Sequence, residues 1–116
     1  MTAGREFRGM ADRFRAAPEK AAGMVRAATT KAVVDTQRLA RERAPVDTGY
    51  LRASIFTREG AQGATWWGEV EAGAEYAAYV EYGTSRQRPQ PFMRPAHEQA
   101  KPVFVQMIEQ IGGKAL

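Results

Sequence analysis

The side chains that could do chemistry in this chain are few and poorly matched to one another. The single histidine, His97, falls in the opening turns of an expected helix. With Glu98 and Ser85 it makes a hydrolytic trio only on paper, because nothing in their spacing lines up a hydroxyl, an imidazole and a carboxylate. There is no cysteine, so neither a thiolate nucleophile nor a thiolate zinc site can be built, and a metal site around His97 lacks a second histidine. Asp47, Glu69, Glu71, Glu75 and Glu81 are enough carboxylates for a two-metal nuclease centre. Alternating carboxylates on a strand, however, are the ordinary mark of its solvated face. Neither Gly60–Gly63 nor Ala72–Tyr76 is followed by the Lys-Ser/Thr of a phosphate loop. The reading is a non-enzyme with no cofactor and no metal.

The elements that would hold these residues are easier to read. A chain of 116 residues fits one domain with one modest core. Residues 2–16 place Phe7, Met10, Ala11 and Phe14 at helical spacing, which predicts a short amphipathic helix, peripheral to the domain. From Pro18 to Arg43 the stripe Ala21, Val25, Ala28, Ala32 and Leu39, broadened by Met24, Val33, Val34 and Ala40, predicts one long helix. Ala44-Pro45 ends it, since the residue before proline avoids α geometry. Asp47, Thr48 and Gly49 form a turn. Leu51, Ala53, Ile55 and Thr57 then alternate with Arg52, Ser54, Phe56 and Arg58, which predicts a strand. Residues 59–63 make a five-residue hairpin connection, and Thr65–Ala72 return as a second strand. There Trp66 faces the core, and Trp67 is either a cross-strand cover or an intersubunit contact. Tyr76, Tyr79 and Val80 favour a short helix, with a strand over 77–82 as the alternative. Residues 94–111 give the last helix, which Pro102 should bend or interrupt. The fold class is α+β: a long N-terminal helix and a C-terminal helix packed on a small antiparallel sheet.

The charge is uneven. Residues 1–43 hold ten Lys/Arg and five Asp/Glu, whereas residues 44–116 hold seven and eight. A nucleic-acid partner is one reading of the basic third; a solvated helix face is the other, favoured because acids are interleaved and no aromatic platform accompanies the cations. No apolar run approaches the roughly 18 residues of a membrane span, and the charged N-terminus lacks the apolar centre of a secretion signal. A cytoplasmic protein with no membrane partner is the expectation.

The stretch that organises the rest is Tyr79–Ala96. An apolar, aromatic element breaks at Gly83, a basic arm carries Arg86 and Arg88, and Pro89 and Pro91 stiffen it. Phe92 and Met93 supply the next anchor, and Pro95 suits a first helical turn. It is read either as an ordered connection or as a loop built to lie on a neighbouring subunit.

Two segments, A-P-V-D-T-G-Y-L-R-A-S-I (44–55) and Y-V-E-Y-G-T-S-R-Q-R-P-Q-P-F-M-R-P-A (79–96), resemble the small neck proteins of long-tailed bacteriophages, the gene-product-ten or tail-completion (Z-like) family of lambdoid phages. The resemblance spans roughly residues 25–110. It implies a structural virion protein forming a ring, often a hexamer, at the head–tail junction. Its partners would be further copies of itself, the head connector or stopper, and the tail terminator or tail tube, with DNA passing through unread. The loops would mediate ring assembly. Subunit-interface candidates are Asp47, Thr48 and Gly49 in the turn; Trp67; Gly83, Thr84, Arg86, Arg88, Pro89 and Pro91 in the arm; and Phe92 and Met93 as anchors. Glu69 or Glu71 of the next copy are possible partners for the arm's arginines. A tail terminator capping the tube and a small basic DNA-binding protein are the alternatives.

Overall fold

The longest element follows from its small residues. In the computed structural model, which describes residues 10–17, 22–46, 49–112 and 114–115, helix α1 runs Ala22–Arg43. It buries Val25, Ala28, Thr29, Ala32, Val33, Thr36, Leu39 and Ala40, a stripe at three- and four-residue spacing. The two buried hydroxyls cost little, because Thr29 and Thr36 donate to the carbonyls of Val25 and Ala32 at 2.9 and 2.7 Å. Met24 and Val34, expected to broaden the stripe, face solvent instead. The alanines let α1 come close to the sheet. At Gly68 a Cβ would lie 2.7 Å from Val33 Cγ1 and 2.8 Å from Thr29 Cγ2, so only glycine fits beneath the helix there.

The sheet is antiparallel in the order β2-β3-β1-β4, with β1 Met10–Ala17, β2 Ile55–Gln62, β3 Thr65–Ala72 and a two-residue β4, Lys114–Ala115. Three short or long helices complete the chain: α2 Tyr50–Ala53, α3 Ala77–Tyr82 and α4 Met93–Ile111. Helices α1 and α4 lie side by side on one face of the sheet, and the core between the layers holds Phe14, Ile55, Val70, Phe92, Met93 and Phe104. The α+β architecture expected from the sequence is the one observed.

The expected N-terminal helix is a strand where the structure describes it. Residues 10–17 pair with β3 from Met10↔Ala72 to Ala16↔Trp66, so this segment lies within the sheet and is not peripheral. Residues 2–9 of the expected helix lie outside the described residues. The local pattern permits the strand: Phe14 and Ala16 are buried while Arg13 and Arg15 are exposed, a period of two. Pairing with β3 decides between the two periods, because a helix this short gains little by itself.

Two boundaries also differ. Residues 50–53 form α2, not the start of a strand, and β2 begins at Ile55. The hairpin is tighter than expected: Gln62 pairs with Thr65, leaving two residues in the turn. Helix α4 continues across Pro102; the exposed position of this proline leaves the Glu98 carbonyl, which has lost its helical donor, on the solvent side.

Candidate functional site

Helix α3 turns its tyrosines outward and a glutamate inward. Ala77 and Glu81, four residues apart, form the buried side, while Tyr79 is 63% exposed and Tyr82 60%. A fully buried carboxylate is tolerable only with strong hydrogen bonds. Glu81 Oε1 accepts from the backbone N–H groups of Phe92 and Met93 at 3.0 and 2.9 Å, and Oε2 from that of Arg94 at 3.0 Å. These are opening amides of α4, which no residue further along the helix can satisfy, at the positive end of its dipole. No side chain of the Phe92 cap position does this work. Glu81 thus caps a helix that starts twelve residues later and fastens the two halves of the Tyr79–Ala96 stretch to each other.

The intervening loop is folded back. Gly83 ends α3 at φ 77°, and a Cβ there would sit 2.8 Å from both N and Cδ of Pro89. The N–H of Thr84 donates to the carbonyl of Gln87 at 2.9 Å, that of Gln87 returns to Thr84 at 3.3 Å, and that of Gln90 donates to Val80 at 2.8 Å. The arm is therefore a braced loop and not an outstretched one. Residues 84–91 are all exposed.

The structure brings the arm together with Pro45, Gly49 and Leu51. Pro45, Gly49 and Leu51 face Val80, Arg88 and Gln90 across a cavity of about 70 Å³. That is well below the ~300 Å³ at which pockets begin to hold organic ligands, so this is a seam between loops and not a substrate pocket. Exposed tyrosines border it: Tyr50 and Tyr76 have ring centroids 6.2 Å apart, and Tyr79 lies one turn beyond. The sequence reading named none of these tyrosines as interface residues. Their three-residue repeat at 76, 79 and 82 was the available signal, and it reads equally as a core stripe.

The remaining candidates are placed as follows. Asp47 and Thr48 lie outside the described residues. Phe92 and Met93 are fully buried in the chain's own core, where they fix the base of the arm. Trp67 is on the helix-free face of β3, five residues from the end that meets α3. It is half-buried over Gly60, with the Arg13 guanidinium 4.9 Å from its ring centroid. Glu69 is only 4% exposed. Arg13 reaches its Oε2 at 2.7 Å and Arg58 its Oε1, while Arg58 also lies 3.3 Å from Glu71. Glu69 and Glu71, proposed as acids for a neighbour's arm, are thus engaged within their own subunit.

The chemical candidates do not converge. His97 stacks on Phe14 at 4.7 Å, and burial, with the Lys101 charge adding to it and Glu98 opposing, holds its pKa below the ordinary value. Among the described residues no group of three or more His, Asp or Glu side chains could hold a metal ion, and no helix is long and apolar enough to cross a membrane. The basic helix spends its charges locally: Lys31 pairs with Asp35, Arg38 with Glu42, and Arg26 lies over Trp66.

The chain is a two-layer α+β subunit with a braced, exposed loop beside surface tyrosines. The HK97-gp10-like family model, described as "Bacteriophage HK97-gp10, putative tail-component", matches residues 8–83. The chain belongs to this family of structural phage tail components, which places it in the virion. The match takes in β1 and runs to Gly83, so the arm and α4 follow it. No curated protein and no solved structure matches the chain.

Proposed function

We propose that the protein is a ring subunit at the head–tail junction of a tailed phage, completing the tail and joining it to the head while DNA passes through. The observation that carries the reading is the Gly83–Pro91 loop. Its residues 84–91 are all exposed, yet Glu81 and Gly83 hold it in one shape, so little ordering cost remains to be met on docking. A ring requires one patch to meet a different patch with a rotation that closes. The loop, Pro45, Gly49 and the neighbouring tyrosines form one such patch.

Native mass spectrometry of the full chain, alone and with tailless heads or isolated tails, tests this. A closed oligomer, or uptake onto heads at a fixed copy number, supports the junction ring. Uptake by tail tubes alone would assign the protein to the terminator position instead. A monomer that ignores both heads and tails would refute the ring.

A further inference from the structure

We propose that Arg86, Arg88 and Arg94 form a docking site for an acidic surface on a different virion protein, the neighbour that meets the ring on its head or tail side. The inference goes beyond the contact between ring subunits and rests on the junction reading only for the existence of that neighbour. All three arginines are exposed, and among the described residues none has a carboxylate partner. Elsewhere the chain spends most of its cations internally: Arg13 and Arg58 on Glu69, Lys31 on Asp35, Arg38 on Glu42, and Arg41 on the Ile55 carbonyl. The three lie around one loop. Arg86 and Arg88 flank Gln87, whose N–H and carbonyl both bond Thr84, and Gly83 packs against Pro89 where the two limbs of the loop meet. At its base the Arg94 guanidinium is 5.9 Å from the ring centroid of Tyr82. Acids of the same stretch do not offset this charge: Glu81 is spent on three backbone amides, which leaves the exposed Glu75 alone.

Among the described residues a further copy of the chain offers no matching acids. Asp35 and Glu42 are paired, Glu59 accepts from Thr30 and Trp66, and Glu69 and Glu71 are held by Arg13 and Arg58. Glu98 and Glu109 are exposed, but the α4 axis sets them about 16 Å apart, at 1.5 Å per residue, with Lys101 between them. That is too wide for two arginines on one folded-back turn. The carboxylates therefore come from another protein. Guanidinium groups bind carboxylates in a two-pronged fork, and a loop already braced from within loses little freedom when they do so. The residue types favour protein over nucleic acid. Arginine and tyrosine are enriched at protein interfaces and lysine is depleted, and the sequence from Ala32 to Ala100 contains no lysine. The cavity of about 70 Å³ beside the loop is a seam, not the basic groove that tracks a nucleic-acid backbone.

The experiment is a charge reversal on the full chain, with uptake onto tailless heads and isolated tails read by sedimentation, self-association by native mass spectrometry and folding by far-UV dichroism. Arg86→Glu with Arg88→Glu should weaken uptake about tenfold or more and leave self-association unchanged. Raising salt from about 50 to 300 mM should weaken wild-type uptake severalfold, since exposed charges are screened. Lys31→Glu with Lys101→Glu, an equal change of charge on the two helices, should leave uptake as it is. If the arginine reversal disturbs folding, Arg86→Gln with Arg88→Gln carries the same test with a smaller loss. Uptake that survives loss of both arginines, or falls equally in the helix variant, overturns the site while leaving the junction ring standing. Rings that the reversal dissolves also overturn it, because the arginines then face another copy. Duplex DNA bound by the wild type and released by the reversal, with uptake unchanged, would assign the arginines to phosphates instead. A wild-type ring that neither heads nor tails take up overturns the site, and a wild-type monomer that ignores both overturns the ring as well.

Discussion

At the residue scale the molecule turns on Glu81. Its carboxylate is the only link among the described side chains between α3 and the opening amides of α4, and it has no solvent to fall back on. Glu81→Ala should cost about 3 kcal/mol or more, since it strands two buried donors and a part-buried one as well as removing the charge. Glu81→Gln keeps an acceptor for Phe92 and Met93 but turns an amide group towards the Arg94 N–H, so it should cost less, about 1–3 kcal/mol. Urea denaturation midpoints decide the order; equal effects would mean that the cap is not what holds these helices. His97 gives a pH signature of the opposite kind. Burial, and secondarily Lys101, hold its pKa below the ordinary 6.5 in the folded chain. The unfolded chain therefore binds the proton first as pH falls. Stability from this group is complete above pH 6.5 and drains away below it, until the folded-state pKa is passed. His97→Phe preserves the stack on Phe14 and should flatten thermal midpoints compared between pH 7.5 and 5 against the wild type.

At the scale of elements, the sequence was legible where one period stood alone. The α1 stripe and the β3 alternation needed no tertiary information, and both appear at their expected positions. It failed at β1, where A-D-R-F-R-A carries a helical and a strand period in the same few residues and only pairing with β3, more than fifty residues away, chooses between them. At α3 the expected short helix is observed, but which side it buries was not legible: Tyr79 and Tyr82 are exposed and Glu81 is buried. Polarity alone cannot show that a carboxylate will meet three backbone amides. The site was legible as two motifs but not as their join. The strand assignment has a consequence for stability. Phe14 is 2% exposed and touches both His97 and Phe104, so Phe14→Ala should cost about 3–5 kcal/mol, as for other buried aromatics. A peripheral amphipathic helix would lose far less, and chemical denaturation of the variant separates the two.

For the whole molecule the question is whether its exposed aromatic rim serves folding or assembly. A two-layer subunit has one sheet face packed by helices and one left open, and here the open face is largely occupied by its own Arg13–Glu69–Arg58 clamp and Trp67. In the tyrosine rim at the arm end, Tyr50 and Tyr76 pair with each other and Tyr82 lies under Arg94, while Tyr79 projects outward. Tyr79, at 63% exposed, contributes little to the fold, and Tyr79→Ala should change unfolding free energy by no more than about 0.5 kcal/mol. If the rim is a contact surface, the same substitution should weaken ring formation or uptake onto heads by about 1–3 kcal/mol, since a tyrosine desolvated at the centre of an interface commonly contributes that much. The two quantities are separable in one preparation, by urea denaturation of the free chain and by the subunit concentration at which the native-mass oligomer dissociates. Loss of stability with unchanged assembly would place Tyr79 in the fold of the subunit and move the contact surface away from α3. Unchanged stability with weakened assembly would mean that the helix which buries Glu81 to brace the arm also presents the arm's neighbours to the next protein.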